Sequence, residues 1–109
     1  MIKKKKPVKK TDNELWKSVD ERIKYVQYIF VNHAEERQAQ RGIDDLTVIN
    51  ILENKGNARR RRNKSKDKYE SGYDDWNYCI EGYDHNSDKI RIVISFNINN
   101  MLIITVIKI

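Results

Sequence analysis

Cysteine, histidine and long apolar runs are all scarce in this sequence of 109 residues. The single cysteine, Cys79, excludes an internal disulfide and a zinc cage built on cysteines, and it indicates a reducing compartment. The two histidines, His33 and His85, are far apart in the sequence, and neither has a partner at the spacing of metal ligands. We therefore expect no metal site and no cofactor.

No stretch approaches the roughly 20 apolar residues that are needed to span a bilayer. The lysine-rich start is followed by Pro7 and polar residues, where a signal peptide would require an apolar segment. We expect a cytoplasmic protein with no membrane partner.

Positive charge is concentrated in two segments. Residues 1–10 contain six lysines and no acid, and residues 55–68 contain eight basic residues against the single acid Asp67. The formal net charge is +6, so the rest of the chain is an acidic body. Concentrated positive charge attracts polyanions by releasing their counterions, without any reading of bases. Nucleic acid is the expected partner.

The length predicts one domain with a modest core. We expect a disordered lysine-rich arm at residues 1–11 and a single domain at residues 12–109. Apolar residues spaced three and four apart from Asp12 onward predict an amphipathic helix that is capped by Asp12. The apolar run at residues 28–31 predicts a buried strand.

Two further helices are expected before the basic segment. Asn32 is a good N-cap and Gly42 a natural end for a polar helix between them. The next apolar run predicts a helix that is capped by Asp44 or Asp45 and ends at Gly56.

The second half of the chain has the pattern of strands. We expect a short strand near residues 59–62 that leads into a mobile loop, and longer strands at residues 77–83, 89–96 and 101–109. The last of these is almost wholly apolar, which is typical of a central strand that is covered on both faces. The order predicts an α+β fold, in which N-terminal helices pack on one face of a twisted antiparallel sheet of about four strands.

His33, Arg37 and Arg41 recur at every fourth position and form one stripe on the predicted polar helix. Histidine exchanges a proton near neutral pH, and arginine matches phosphate oxygens. These are the groups that metal-independent RNA cleavage requires, namely a base, an acid and fixed positive charge for the transition state. Alternatively, the two arginines pair with nearby acids and only orient the helix.

The basic segment supplies a second set of candidates. It is interpreted as a set of contacts to the phosphate backbone, with a solvated loop or a docking site for an acidic partner as alternatives. Its aromatic neighbours, including Trp76, either stack on unpaired bases or close an edge of the core. The predicted nucleic-acid-binding residues are Arg59, Arg60, Arg61, Arg62, Lys64, Lys66, Lys68, Tyr69 and Tyr73.

Glu81 alternates with Ile80 in a predicted strand, and it is a candidate general base. The turn that contains His85 is expected to be solvated.

The run HAEERQAQRGI, followed by a helix, a basic segment and strands that end in IITV, resembles a small family of uncharacterised bacterial domains. That family is generally placed near the RelE, HigB and MqsR toxins. The resemblance covers roughly residues 25–107, and it implies a RelE-like fold and an mRNA-cleaving toxin with an antitoxin partner. The residues that carry it are His33, Ala34, Arg37, Arg41, Gly42, Ile43, Thr105 and Val106.

RelE-like toxins carry a Tyr, His or Arg in their C-terminal strands, and this chain has only Thr105 and Lys108 there. We therefore expect His33 to carry more of the catalysis, with Arg37, Arg41 and Lys108 assisting.

Three hypotheses follow from the sequence. The first is a metal-independent endoribonuclease that acts as a toxin. The second is a non-catalytic module that binds nucleic acid or the ribosome. The third is a toxin of the same fold with another target, such as a topoisomerase, as in the ParE branch.

Overall fold

A computed structural model of the chain describes residues 6–31 and 42–109. Its first element is helix α1, Asp12–Lys24, and the cap is Thr11 rather than the expected Asp12. The Thr11 hydroxyl accepts a hydrogen bond from the Glu14 amide, and the Glu14 carboxylate accepts one from the Thr11 amide. This reciprocal capping box satisfies two backbone donors at the helix start, which explains why Thr11 is preferred as the cap.

The second described helix, α2, spans Asp45–Leu52. Its cap is Asp44, one of the two predicted caps, which accepts a hydrogen bond of 2.8 Å from the Thr47 amide. The helix ends before Gly56, because Asn54 already adopts a left-handed backbone with φ of 57°. The predicted polar helix between Asn32 and Gly42 lies outside the described residues.

Five strands form one sheet within the described residues, not the four that were expected. They are β1 (Tyr28–Phe30), β2 (Arg61–Arg62), β3 (Tyr78–Tyr83), β4 (Lys89–Phe96) and β5 (Met101–Lys108), in the spatial order β1-β5-β4-β3-β2. A short 3₁₀ helix, Lys64–Lys66, follows β2 where a mobile loop was expected.

The sheet is mixed rather than purely antiparallel. Strands β2 to β5 pair antiparallel, but β1 pairs parallel to β5, with Tyr28 opposite Met101. A parallel edge strand requires a long crossover connection, and this pairing could not be read from the local pattern of residues 28–31. The same end of the molecule is tied by Arg22, whose guanidinium donates hydrogen bonds to the carbonyls of Asn97, Ile98 and Asn99 in the turn between β4 and β5.

Both described helices contribute to a core on one face of the sheet. Ile90, Ile92, Ile94 and Phe96 of β4 are buried there, as the period of two predicts. On β5 the fully buried residues are Met101, Ile103 and Val106, while their neighbours are partly exposed, so the predicted burial of both faces is not found. A bulge between Val93 and Ile94 shifts the register of β4 against β5.

The result is an α+β domain in which the described helices lie on one face of a mixed five-stranded sheet. Neither helix in the described parts of the chain is long and apolar enough to cross a membrane.

Candidate nucleic-acid interface

Two arginines of the basic segment point into the domain. Arg60 donates to Asp20 Oδ1 at 2.8 Å, and its guanidinium lies 4.4 Å from the centre of the Trp16 ring. The side chain of Arg62 is only 3% exposed, and it bonds Asp12 and Asp67 at 2.8 and 2.9 Å. Neither arginine can reach a phosphate without losing these partners, so the geometry assigns them to holding β2 against the rest of the fold.

The other six basic residues of the segment are exposed. Lys55 pairs with Glu53 at 2.9 Å, and the remaining five form no ion pair with a carboxylate within the described ranges. Their charges are therefore available to a polyanion. We call this set the basic surface, and it consists of Arg59, Arg61, Lys64, Lys66 and Lys68.

The basic surface adjoins a row of charged residues that crosses three strands. Arg61 of β2 lies opposite Glu81 of β3, which in turn lies opposite Arg91 of β4. Directly opposed residues share a face of a sheet, so all three side chains lie on the face away from the apolar core. Within this row the two outer residues, Arg61 and Arg91, are cations, and the central residue, Glu81, is an acid.

That acid, Glu81, is almost completely buried, with 2% of its surface exposed. Its oxygens accept hydrogen bonds from Asn63 Nδ2 at 3.0 Å and Arg91 Nε at 3.1 Å, and Lys89 Nζ lies at 3.5 Å. Burial acts to raise the pKa of Glu81, but the bonds from Asn63 and Arg91 and the charges of Arg91 and Lys89 outweigh it, so the pKa is lowered. The side chain is thus a fixed anion that orients Arg91.

The candidate catalytic residues are not all brought together. Lys108 lies opposite Ile90, whereas Glu81 lies opposite Arg91, so Lys108 and Glu81 are on opposite faces of the sheet. Lys108 is paired with Asp88 at 3.4 Å. His33, Arg37 and Arg41 lie outside the described residues, and their catalytic role stays a prediction.

The described part of the lysine-rich arm contacts the domain. The Trp76 indole donates a hydrogen bond of 2.8 Å to the Pro7 carbonyl, and Lys6 Nζ lies 4.4 Å from the Trp76 ring centre. Lys10 pairs with the buried Asp75 at 2.9 Å. Part of the arm's positive charge is thus neutralised within the molecule, which the composition alone does not reveal.

The aromatic residues beside the basic surface are engaged with each other. The rings of Tyr69 and Trp76 lie 6.1 Å apart, and the Tyr69 hydroxyl donates to the Tyr73 carbonyl at 3.4 Å. Trp76 also packs against the core. Tyr69 and Tyr73 remain partly exposed, and base stacking on them stays a prediction.

Three residues that bond to or lie close to Glu81 were not predicted from the sequence, namely Asn63, Lys89 and Arg91. For Lys89 and Arg91 a signal existed, because both alternate with the isoleucines of β4 and so belong to the opposite face. For Asn63 no local signal existed, since its position beside Glu81 depends on the pairing of β2 with β3.

Cys79 lies on the same face as Glu81, and its thiol is 3.9 Å from that carboxylate. Burial raises the pKa of the Cys79 thiol to about 11, which makes it a poor nucleophile. Among the residues that the structure describes, no three His, Cys, Asp or Glu side chains cluster closely enough to hold a metal ion.

Comparison with known proteins adds one finding. No curated protein and no solved structure matches the chain. A family model, described as a domain of unknown function (DUF4258), matches residues 30–108, which include all five strands except the start of β1. The chain therefore belongs to the DUF4258 family.

Proposed function

We propose that this domain binds single-stranded RNA through the basic surface and cleaves it without a metal, as the toxin of a toxin–antitoxin pair. The observation that supports binding is the set of five exposed cations that have no ion pair in the described parts of the chain. Lys89 and Arg91 add charge beside them, and their single acid partner is buried.

The number of phosphates that the basic surface neutralises can be measured from the dependence of binding on salt. For single-stranded nucleic acid, the slope of log affinity against log salt is about −0.7 for each neutralised phosphate. If all five cations of the basic surface engage phosphates, we expect a slope of about −3.5.

The cleavage step rests on the residues that were identified from the sequence. Glu81 is held as an anion beneath Arg91, and Lys108 is on the other face, so these two do not form an acid–base pair. We assign proton transfer to His33, with Arg37 and Arg41 neutralising the scissile phosphate. The same stripe carries the resemblance to RelE-like toxins, from which the toxin role and the antitoxin partner are proposed.

Cleavage is tested with a labelled single-stranded RNA in EDTA. We expect the wild-type chain to yield products with cyclic-phosphate ends, and the His33→Ala variant to yield none while retaining its affinity for RNA. Gln38→Ala is the control, because it changes a neutral polar residue of the same segment. A His33→Ala variant that cleaves as fast as the wild type would contradict the assignment.

Binding is tested separately with a pair of variants of equal charge. Lys64→Gln with Lys66→Gln removes two cations of the basic surface, and Lys17→Gln with Lys24→Gln removes two from α1. The first pair is expected to make the salt slope shallower by about 1.4, and the second to leave it nearly unchanged. Equal slopes for both pairs would show that the basic surface is not the binding site.

A second candidate function is a non-catalytic RNA-binding module. The observation that favours it is the engagement of Glu81 by Asn63, Arg91 and Lys89, because the carboxylate then serves to position cations. Salt-dependent binding by the wild type with no product in the cleavage assay would support this function over the first.

A further inference from the structure

A polar cavity of about 370 Å³ lies at the end of the sheet, where α2, the loop at residues 55–58 and the end of β3 meet. The loop is tied to the strand by a hydrogen bond of 2.8 Å from the Tyr83 amide to the Ala58 carbonyl. This volume is at the lower end of the roughly 300–1,000 Å³ that is usual for small-molecule sites. It suits a single nucleotide and excludes a duplex.

Several polar side chains that line the cavity have no partner within the described ranges. The amides of Asn50 and Asn57 and the hydroxyl of Tyr83 form no hydrogen bond there. The nearby Asp84 is different, because its Oδ1 accepts bonds from the amides of Asn86 and Asp88 and is used by the turn. The lining of the cavity thus includes side-chain donors and acceptors that are unused within the described ranges.

The cavity is continuous with the basic surface along the chain. Ala58 lines the cavity, Arg59 follows it directly, and Arg61 lies two residues further on β2. The side chain of Tyr83 shares a face of β3 with that of Glu81, since residues two apart in a strand point the same way. Arg59 therefore links the wall of the cavity directly to the basic surface.

We infer that the cavity binds one unpaired nucleobase of the RNA that the basic surface holds. This inference rests on the proposed function and extends it to recognition of a base. Asparagine amides complement the donor and acceptor edges of bases. Asn50 and Asn57 supply these edge contacts from the lining of the cavity.

The direct test is a titration with adenosine and uridine 5′-monophosphates, followed by the amide signals of residues 50, 57 and 83 in NMR spectra. Ribose 5-phosphate, which lacks a base, is titrated in parallel. We expect saturable shifts with at least one mononucleotide and none with ribose 5-phosphate. Equal shifts with all three ligands, or no shifts with any, would overturn the inference.

The second test measures the affinity for single-stranded RNA. Asn50→Ala with Asn57→Ala is compared with Asn13→Ala and Asn99→Ala, which change exposed asparagines elsewhere. We expect about tenfold weaker binding for the first pair, since base contacts of this kind contribute discrimination of that order, and a change below about twofold for the second. Since Asn50 and Asn57 have no hydrogen-bond partner in the described structure, both pairs should unfold at the same denaturant concentration as the wild type.

These outcomes separate the inference from the proposed function. If the wild type binds RNA and both asparagine double variants bind it equally well, the basic surface is supported as the binding site and the base pocket is refuted. A wild-type chain that binds no RNA would refute the proposed function, and the mononucleotide titration would then decide on the pocket by itself.

Discussion

Replacing Glu81 with glutamine removes the negative charge at the centre of the charged row and keeps the shape of the side chain. Hydrogen bonds to a charged group contribute about 1.5–3 kcal/mol each, and breaking a fully buried ion pair costs about 3–5 kcal/mol. Here the partners Arg91 and Lys89 are 26% and 35% exposed at their side chains, so water can solvate them after the change. We therefore expect the free energy of unfolding of the Glu81→Gln variant to fall by about 2–3 kcal/mol at pH 7.

The loss should depend on pH in a defined direction. The pKa of Glu81 is lower in the folded chain than its ordinary value of 4.5. A group of this kind contributes its stability above the unfolded pKa and loses it as the pH falls through the folded pKa. The difference between the wild type and the Glu81→Gln variant should therefore be constant from pH 7 down to about pH 5 and shrink below pH 4.5.

Urea unfolding, followed by tryptophan fluorescence at several pH values, measures this difference. The exposed Glu21→Gln on α1 is the control, because it removes the same charge where solvent screens it, and its effect should stay within about 0.5 kcal/mol. An effect of Glu81→Gln no larger than that of Glu21→Gln, or one that persists unchanged at pH 3, would refute the reasoning. Cleavage of bound RNA should continue in the Glu81→Gln variant if the residue positions Arg91, and should cease if it is a general base.

Three further predictions concern the packing at Gly82, the cap of α1 and the buried thiol of Cys79. A Cβ at Gly82 would lie 2.5 Å from Ile51 Cγ2 and 2.9 Å from the Ala58 carbonyl, so Gly82→Ala should cost about 1–3 kcal/mol in urea unfolding, and adding Ile51→Leu should recover part of it. An unchanged free energy of unfolding for Gly82→Ala would contradict the clash. Thr11→Ala should lower stability by about 1 kcal/mol and reduce helical circular dichroism, with an unchanged denaturation midpoint counting against the capping box. Because Cys79 is buried and burial raises the pKa of its thiol to about 11, its reaction with a disulfide reagent at pH 8 should be at least about tenfold slower in the native chain than in urea, and equal rates would show an accessible thiol.

Much of the fold was readable from local patterns. The isoleucines of β4 recur at every second position, and Asp44 stands just before an apolar run, so both elements follow from the local sequence. The parallel pairing of β1 with β5 was not readable, because it joins segments that are distant in sequence, and three residues carry too little pattern to show a partner. The same limit led to an expected sheet of four strands rather than five.

For the candidate interface, the composition identified the right segment but not the residues that remain available in it. The run of four arginines is uniform in sequence, yet Arg60 and Arg62 bond to acids within the domain, whereas Arg59 and Arg61 are exposed. Which arginine is paired depends on Asp20 and Asp12 of a helix some 40 to 50 residues earlier. A charge count therefore overestimates the charge that is available to a ligand.

The pairing of β1 with β5 also determines when the domain can become complete during its synthesis. Residues 28–30 find their partner only in residues 101–103, and Arg22 finds its acceptor carbonyls only at residues 97–99. While a ribosome still holds the last strand in its exit tunnel, both N-terminal groups lack these contacts. Closing so long a loop costs entropy before its contacts form, and such topologies fold slowly. The nascent chain therefore cannot close its sheet before the C-terminal strand has left the ribosome.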